Sequence, residues 1–297
     1  MTPHDGWYLL CFESELTEEV SPLSVGSRSL IAVRREGRIR VFDGACPHRG
    51  AHLGHGGVLC EPDAVQCPFH GKQISLGDSG RRWWVAEHEV LHVGEAVFVR
   101  LTREGSGRGF EPAVRELTTT RKLVAALTMP IHVEPEWVTE NAFDTEHFPT
   151  VHGVPQITGA TSRPGEAGEL SIEARFRTFG GPSWQGRTRL GGDTRFFARA
   201  FSPTLVLTEI GADRWEQVVI TGTVPTATGC VARVAVAVQD DDPALTERLI
   251  IGAKMAFEQD IPIWEHLDLD APQRYDAADK GVIAFREFCA GFGKAAR

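Results

Sequence analysis

The sequence predicts an α+β protein in which an all-β part comes first and a second part combines an antiparallel sheet, a long helix and a cavity between them. Three observations support this fold class. Short apolar runs separated by glycines occupy residues 7–101. Longer runs that alternate apolar and polar residues lie between residues 170 and 239. A helical pattern then covers residues 244–261, directly after an acidic cap and Pro243.

The length of 297 residues predicts two domains, each able to bury its own core. The segment 103–112 is rich in glycine and polar residues, as is typical of a linker. We therefore expect domains at residues 1–103 and 104–297. The strands predicted in the first domain are residues 7–12, 29–34, 38–42, 58–59 and 97–101.

The second domain begins with a predicted strand at residues 124–133, and we expect the segment 152–170, rich in Gly, Pro, Thr and Ser, to be a loop. The runs that predict the antiparallel sheet are residues 170–179, 186–190, 194–201, 205–210, 215–224 and 231–239. Pro262 is expected to break the long helix. The side chains expected to line the cavity, with ordinary core packing as the alternative, include Trp184, Phe197 and Trp215.

Composition and charge exclude several classes of protein. A net charge of -9 argues against a general nucleic-acid surface, which needs a surplus of Lys and Arg on one face. The longest apolar run, residues 231–238, is interrupted by Arg233 and is too short to span a bilayer. The chain reaches Gly6-Trp7-Tyr8 before a secretory leader could fit. We therefore expect a cytoplasmic protein with no membrane span and no nucleic-acid partner.

Two cysteine–histidine pairs are typical of an iron–sulfur site. Cys46-Pro-His48 and Cys67-Pro-Phe-His70 each supply one thiol and one imidazole, and 18 residues separate them. A Rieske 2Fe-2S cluster takes two thiolates on one iron and two imidazoles on the other. Zinc also binds two cysteines and two histidines, but zinc fingers place both cysteines in one pair. The order of the ligands, together with the glycines that flank both pairs, favours the Rieske cluster.

The cluster is predicted to have a low reduction potential. High-potential Rieske proteins of respiratory complexes carry two more cysteines that join the cluster loops, and here those positions are Ala51 and Phe69. The first loop also contains His52 and His55, which we expect to lie at the surface or to support the site, since the four ligand positions are filled. These features are similar to those of the Rieske domains of oxygenases and their ferredoxins.

A second metal site is predicted from Asn141-x-x-Asp144-x-x-His147-x4-His152. If this stretch is one helix, Asp144 and His147 lie one turn apart on the same face, and His152 follows at its end. Two imidazoles and one carboxylate, with open coordination positions, suit ferrous iron that binds dioxygen and a substrate. Without other motifs, a structural histidine pair would be the favoured interpretation of these two residues.

The two motifs together resemble the Rieske non-haem iron oxygenases, specifically the monooxygenase-type members. Gln259-Asp260-x-x-Ile263-Trp264 is similar to a segment of the 3-ketosteroid 9α-hydroxylase oxygenases and the sterol 7-desaturases. The resemblance implies a helix-grip second domain and assigns Asp260 as the third ligand of the iron, with Glu258, Glu265 and Asp268 as alternatives. Lys72 departs from the family, because many relatives have Trp after the His-Gly of this loop.

The resemblance also implies the reaction. A terminal oxygenase would use O2 and electrons from NAD(P)H, delivered by a separate ferredoxin or flavin reductase because the sequence has no G-x-G-x-x-G site. A hydrophobic, steroid-like or polycyclic substrate would undergo hydroxylation, dealkylation or desaturation. Head-to-tail homotrimers would let Asp144 link His70 of one subunit to His147 of the next. Asn141 belongs to the same catalytic motif.

Two other classes of protein are compatible with parts of the sequence. A Rieske ferredoxin that only carries electrons would not need the second domain. A binding protein that had lost its iron site would keep the cavity but not all three ligands. The number of irons per chain distinguishes both from an oxygenase.

Overall fold

The computed structural model describes residues 2–60, 63–102, 107–154, 157–178, 192–212, 216–239 and 242–293. The predicted run at residues 186–190 lies outside these ranges, as do Trp184 and Trp215. The prediction of an α+β fold with an all-β first part is confirmed.

The first part is built from two sheets. Its strands are β1 (Gly6–Phe12), β2 (Val20–Val25), β3 (Arg28–Arg35), β4 (Arg38–Asp43), β5 (Val58–Cys60), β6 (Ala64–Gln66), β7 (Gln73–Leu76), β8 (Trp84–Val85), β9 (Glu87–Val93) and β10 (Ala96–Leu101). Six strands form one antiparallel sheet in the order β1-β10-β9-β4-β3-β2, and the other four form the sheet β5-β6-β7-β8. Each of the five predicted strands is present. Of the strands that the sequence did not predict, β6, β7 and β8 have four residues or fewer, β2 contains Pro22, and β9 has a single buried side chain.

The second part is a seven-stranded antiparallel sheet with helices. Its elements are α1 (Phe110–Leu117), β11 (Lys122–Ile131), α2 (Pro135–Glu140), α3 (His147–Val151), β12 (Ile157–Pro164), β13 (Leu170–Thr178), β14 (Gly192–Ser202), β15 (Leu205–Gly211), β16 (Gln217–Pro225), β17 (Cys230–Val238), α4 (Pro243–Trp264) and α5 (Lys280–Ala290). The strand order is β11-β17-β16-β15-β14-β13-β12. The long helix α4 lies over β11 and β17.

The start of α4 follows directly from the sequence. The Asp242 carboxylate accepts a hydrogen bond from the backbone N–H of Leu245 at 2.8 Å, and Pro243 occupies the first turn, where no N–H is needed. One face of α4 then packs on the sheet through an apolar cluster that includes Val234, Leu249 and Phe257. The prediction of a helix over an antiparallel sheet is confirmed.

The two parts share an apolar core. Trp7 and Leu9 of β1 pack with residues of β15, β16 and β17, among them Leu207 and Ile220. The contact is so close that a Cβ at Gly222 would lie 2.4 Å from the Cβ of Leu9, so only glycine fits in β16 at this point. This core fixes the position of the first part against the seven-stranded sheet of the second part.

Three local predictions were wrong. The stretch 141–152 is not one helix: α2 ends just before it at Glu140, turns follow, and residues 147–151 form the short helix α3. Pro149 explains part of this break, because it has no N–H to bond back in a continuous helix but is tolerated in the first turn of α3. The predicted loop at 152–170 contains β12, an edge strand with mostly exposed side chains and therefore no apolar period. Pro262 lies inside α4, which continues to Trp264 because the loss of one hydrogen bond in the last turn is tolerated.

No helix in the described parts of the chain is both long enough and apolar enough to cross a membrane.

Candidate metal centres

The two cluster loops have the same backbone hydrogen bonds. The N–H groups of Cys46 and Cys67 donate to the carbonyls of Ala51 and Lys72, each at 2.8 Å. Both acceptors lie five residues after the cysteine. Cys46 and Cys67 are almost fully buried, so the loops fold over two thiols that face the interior of the first part.

Glycine closes each of these loops. The N–H groups of Gly50 and Gly71 donate to the carbonyls of Cys46 and Cys67 at 2.8 and 3.0 Å. Their φ angles of 75° and 65° lie in the left-handed region, which glycine adopts without strain. The glycines that flank the motif are therefore required by the fold of the loops.

The histidines of the two loops lie side by side. The rings of His48 and His70 are 4.8 Å apart and nearly perpendicular, and His70 is exposed. His48 Nδ1 is buried, and no residue that the structure describes gives it a hydrogen-bond partner. A buried ring nitrogen without a partner, next to two buried thiols, fits a metal cluster.

The thiols also favour a bound cation. Burial raises the pKa of the Cys46 thiol, and the neighbouring Cys67 thiol raises it further, although backbone N–H groups partly offset both effects. A bound metal ion lowers the pKa of a coordinating thiol and so opposes this effect, because coordination deprotonates the thiol.

The other two histidines of the first loop, His52 and His55, lie next to each other, with their rings 4.7 Å apart. His52 Nδ1 accepts a hydrogen bond from the N–H of Gly54.

The predicted triad of the second site is brought together by two helices, α3 and α4. His147 begins α3, His152 caps its end, and Asp260 lies in the last two turns of α4. The Nε2 atoms of the two histidines are 3.2 Å apart. Asp260 Oδ1 lies 3.8 Å from His147 Nε2 and 3.6 Å from His152 Nε2. All three atoms lie within 4.8 Å of one another. This donor set and spacing fit a single ferrous ion.

Neighbouring side chains contact the two imidazoles. His152 Nδ1 lies 3.0 Å from the amide oxygen of Gln259, and His147 Nδ1 lies 3.6 Å from Asp144 Oδ2. The His147 distance is too long for a hydrogen bond, so of the two rings His152 is the one whose Nδ1–H is placed to donate, which leaves its lone pair on Nε2. The sequence motif predicted the place of Asp144, but Gln259 was not predicted to take part. Its position beside Asp260 in the Gln-Asp pair was the signal available.

The electrostatics of the triad are those of a cation site. Burial raises the pKa of the Asp260 carboxyl, and nearby Asp144 raises it too, against the opposing effects of the two histidines and of the Asn141 side chain. Burial lowers the pKa of His152 although Asp260 and Gln259 oppose this shift. Both shifts disfavour charge in the metal-free site. Asp260 is only 7% exposed, so its negative charge is costly without a partner of opposite charge. A bound divalent cation would be that partner.

Asp144 is in a different environment. Burial raises its pKa, but the nearby His147 imidazole and the backbone N–H groups of Glu146 and His147 outweigh this, so the pKa is lowered. The side chain is about one-third exposed, at 32%. Asp144 is therefore an ionised carboxylate that contacts His147 and is still accessible from outside the chain.

The alternative carboxylates are not beside the histidines. Glu258 points away and pairs with Lys254 at 3.7 Å, and Glu265 is exposed. Asp268 accepts a hydrogen bond from the N–H of Asp270 in the loop after α4. Of the four acids considered, Asp260 alone joins the histidines in the group that could hold a metal among the described residues.

A cavity of about 140 Å³ lies between the sheet and α4, and the triad forms part of its wall. Its apolar lining consists of Val138, Ala142, Phe148, Val154, Phe176, Phe196, Val206, Ile210, Val219, Val234, Ala253, Ala256, Phe257 and Trp264. The prediction for Phe197 was wrong. Successive residues of a strand point to opposite faces, so Phe196 faces the cavity and Phe197 lines a cleft on the other face of the sheet.

A buried ion pair supports the segment that carries Asn141 and Asp144. Arg286 of α5 donates to both carboxylate oxygens of Glu140, at 2.6 and 3.0 Å, and Glu140 is only 8% exposed. The guanidinium also lies over the rings of Trp137 and Tyr275. The Glu140 carbonyl accepts the N–H groups of Phe143 and Asp144. No periodic pattern in the sequence predicts this pair, which joins residues 146 positions apart.

We expect Arg286→Met to lower the free energy of unfolding by about 2–3 kcal/mol, because it leaves the Glu140 carboxylate buried without a partner. The effect is smaller than for a fully buried pair, since the Arg286 side chain is 35% exposed. Urea denaturation measures it. The double change Glu140→Met with Arg286→Met should recover most of the loss, and Arg274→Met, at an exposed position nearby, should have no effect. A single Arg286→Met variant as stable as the natural protein would contradict the role of the pair.

Comparison with known proteins agrees with this architecture. The model of the Rieske [2Fe-2S] domain matches residues 6–92, and that of the 3-Ketosteroid 9alpha-hydroxylase C-terminal domain matches residues 110–287. The chain is similar to the cholesterol 7-desaturase of Caenorhabditis elegans, with 35% identity over 23% of this chain and 16% of that protein. It is also similar to cholesterol 7-desaturase nvd 1 of Ciona intestinalis, with 26% identity over 52% of this chain and 36% of that protein.

A third curated relative is the oxygenase component of the chloroacetanilide N-alkylformylase of Rhizorhabdus wittichii, with 36% identity over 26% of this chain and 21% of that protein. The chain thus matches well under half the length of these relatives. Among solved structures, dicamba monooxygenase has a TM-score of 0.71 and 15% identity, covering 98% of this chain and 97% of that one. NdmB of Pseudomonas putida CBB5 has a TM-score of 0.69 and 18% identity, covering 95% and 89%.

A Rieske [2Fe-2S] domain followed by a 3-ketosteroid 9alpha-hydroxylase C-terminal domain is the domain order of the Rieske non-haem iron oxygenases, and the solved structures share the fold. Within that class, the chain belongs to the family of the 3-ketosteroid 9alpha-hydroxylase C-terminal domain, whose model covers more than half of it. The predicted resemblance is confirmed. Membership implies a Rieske 2Fe-2S cluster and a mononuclear iron.

Proposed function

We propose that this protein is the terminal oxygenase of a multicomponent system that oxidises a hydrophobic substrate. The observation that carries the proposal is the convergence of His147, His152 and Asp260 on the wall of an apolar cavity. When bound, the iron would activate O2 for the oxidation of a substrate C–H bond. Either alternative class, an electron carrier or a binding protein without iron, has no need of three such ligands beside a cavity.

The proposed roles of the residues follow from their contacts. His147, His152 and Asp260 would hold the iron, and Cys46, His48, Cys67 and His70 would hold the cluster. Asn141 contacts the Asp260 carboxyl and lines the cavity, so it would keep that carboxyl turned toward the two rings. The apolar lining excludes water around the substrate. We also propose that the two domains divide at residues 103 and 104.

We infer that the electrons originate from NAD(P)H and arrive through a separate ferredoxin or flavin reductase. They would enter at the cluster and reach the iron of a neighbouring subunit in a head-to-tail homotrimer. This arrangement is supported by the exposure of His70 and of the adjacent Phe69, which is 59% exposed, and by the accessible Asp144 carboxylate. Asp144 would accept a hydrogen bond from His70 of the next subunit and contact His147 of its own. We place the assembly in the cytoplasm.

The substrate we propose is steroid-like or polycyclic. The support is the family, the relatives named cholesterol 7-desaturase and the apolar lining of the cavity. The test supplies the protein with NADH, a reductase and a ferredoxin, and compares a 3-ketosteroid, a sterol and an N-alkyl chloroacetanilide. We expect reductase-dependent O2 uptake with a steroid, and mass spectrometry then distinguishes an added oxygen, two lost hydrogens or a lost alkyl group. O2 uptake that no member of the panel stimulates would contradict the proposed substrate class.

We expect Gln259→Leu to weaken metal binding by about 10–100-fold, because it removes the acceptor that orients His152. Titration of the iron-depleted protein with Co(II), followed by its absorption spectrum, measures the affinity without turnover. Gln259→Glu keeps an oxygen acceptor at this position and should bind Co(II) nearly as well as the natural protein. Equal loss in both variants would show that the amide oxygen does not orient the ring.

A further inference from the structure

Gln217 is a buried amide whose hydrogen-bonding groups are unused. Its side chain lines the cavity and has 1% exposure. Both Oε1 and Nε2 are buried, and neither has a hydrogen-bond partner among the residues that the structure describes. An amide carries two donors and one acceptor oxygen, and leaving them unpaired in an apolar interior is costly. Buried groups of this kind without a partner in the protein are rare and call for a specific explanation.

The sheet register shows where this amide lies. Gln217 begins β16 and pairs with Ile210 of β15, which in turn pairs with Phe196 of β14. Phe196 packs against Phe148, 5.1 Å away, and Phe148 follows His147. Two interstrand spacings, ~10 Å, therefore separate Gln217 from Phe196 along the sheet, and Phe196 is itself separated from His147 by the Phe148 ring. Gln217 thus lies on the cavity wall beyond the aromatic side chains that adjoin the triad, where it would meet a remote part of a substrate.

The neighbours of Gln217 define the chemistry that it accepts. On the cavity face, the other polar residues of these two strands are Thr208 and Thr221, which alternate with Val206, Ile210 and Val219. Among the described residues that line the cavity, the ionisable side chains are those of the triad. The wall near Gln217 therefore offers neutral hydrogen-bonding groups but no charge to pair with a carboxylate or an amine.

We infer that Gln217 recognises a neutral oxygen function, a ketone or a hydroxyl, at one end of a rigid apolar substrate whose other end lies at the triad. Nε2–H would donate to a carbonyl oxygen, and Oε1 would accept from a hydroxyl. This inference rests on the proposed function and narrows its substrate class. It also accounts for the retention of a polar side chain that costs stability in the ligand-free protein.

Selectivity in binding tests the inference without turnover. The probes are a steroid with a 3-keto group, its 3-hydroxy counterpart and the 3-deoxy hydrocarbon, titrated anaerobically into the iron-loaded protein and followed by tryptophan fluorescence. We expect the natural protein to bind at least one oxygenated steroid at least about tenfold more tightly than the deoxy compound. Gln217→Leu should reduce this ratio to near one while it binds the deoxy steroid as well as before. Gln73→Leu, at an exposed position in the first domain, should leave the ratio unchanged.

A second measurement does not depend on the steroid. Ligand-free Gln217→Leu should unfold at the same temperature as the natural protein or higher, because an unpaired buried amide has been replaced by an apolar side chain of similar size. A lower unfolding temperature would show that the amide is paired within the protein, and an unchanged selectivity ratio would show that it does not contact the substrate. Either result would overturn the inference. If no steroid binds, the proposed substrate class is refuted, and with it the narrower statement made here.

Discussion

Asp260→Ala is expected to remove the mononuclear iron and all turnover while the Rieske cluster stays intact. Asp260 is the one negatively charged group within 4 Å of the two imidazole Nε2 atoms among the described residues. Without it, two neutral rings remain, and we expect iron binding to weaken by more than about 100-fold, which exceeds the usual effect of losing a residue that only orients a ligand. Iron analysis and the EPR spectrum of the reduced protein measure the two metals separately.

Glu258→Gln is the matched control for this change. It removes a carboxylate two positions away on the same helix, where the side chain pairs with Lys254 at the surface. Iron content and turnover should both be normal in this variant. If Glu258→Gln lost iron, or if Asp260→Ala retained it, the ligand assignment would be wrong.

The second large effect is expected for Asp144→Asn, which should keep both metals but lower turnover by at least about 100-fold. The substitution preserves size and shape and removes the negative charge. The carboxylate contacts His147 Nδ1 and is accessible from outside the chain, so its charge would be needed to link the cluster of one subunit to the iron of the next. The natural carboxylate is ionised at neutral pH, because its pKa is lowered.

A single-turnover experiment separates this effect from a general loss of activity. The cluster is reduced, mixed with substrate and O2, and its reoxidation is followed by absorbance. We expect fast reoxidation in the natural protein and slow reoxidation in Asp144→Asn, with equal iron content. Glu146→Gln changes an exposed carboxylate two residues away and serves as the control. Normal reoxidation in Asp144→Asn would remove the bridge from the mechanism.

Much of the fold followed from local sequence. Asp242 followed by Pro243 predicted the helix cap that begins α4. Alternating apolar residues predicted the central strands of the seven-stranded sheet. Edge strands such as β12 were missed, since a strand with one neighbour and exposed side chains has no apolar period. The break between α2 and α3 was also missed. There, the Asp144 side chain accepts the N–H of Glu146 at 3.0 Å, which replaces a helical hydrogen bond with a turn.

The candidate sites were predicted to different degrees. The cysteine–histidine pairs and the pair His147 and His152 could be predicted as metal ligands, because each pair lies within a short segment whose spacing is typical of such ligands. The assignment of Asp260 depended on family resemblance, because the structure brings it from more than a hundred residues away. The supporting contacts of Gln259 and Arg286, and the burial of the unpaired Gln217 amide, depend on how distant elements pack, so local sequence did not indicate them.

On this assignment of ligands, one chain holds both a Rieske cluster and a mononuclear iron. The most direct test is to measure iron and acid-labile sulfide per chain in anaerobically purified protein, together with the EPR spectrum after dithionite reduction. We expect about three irons and about two sulfides per chain, with a Rieske signal. About two irons, with a second site that stays empty after addition of Fe(II), would contradict this assignment and favour an electron carrier or a binding protein.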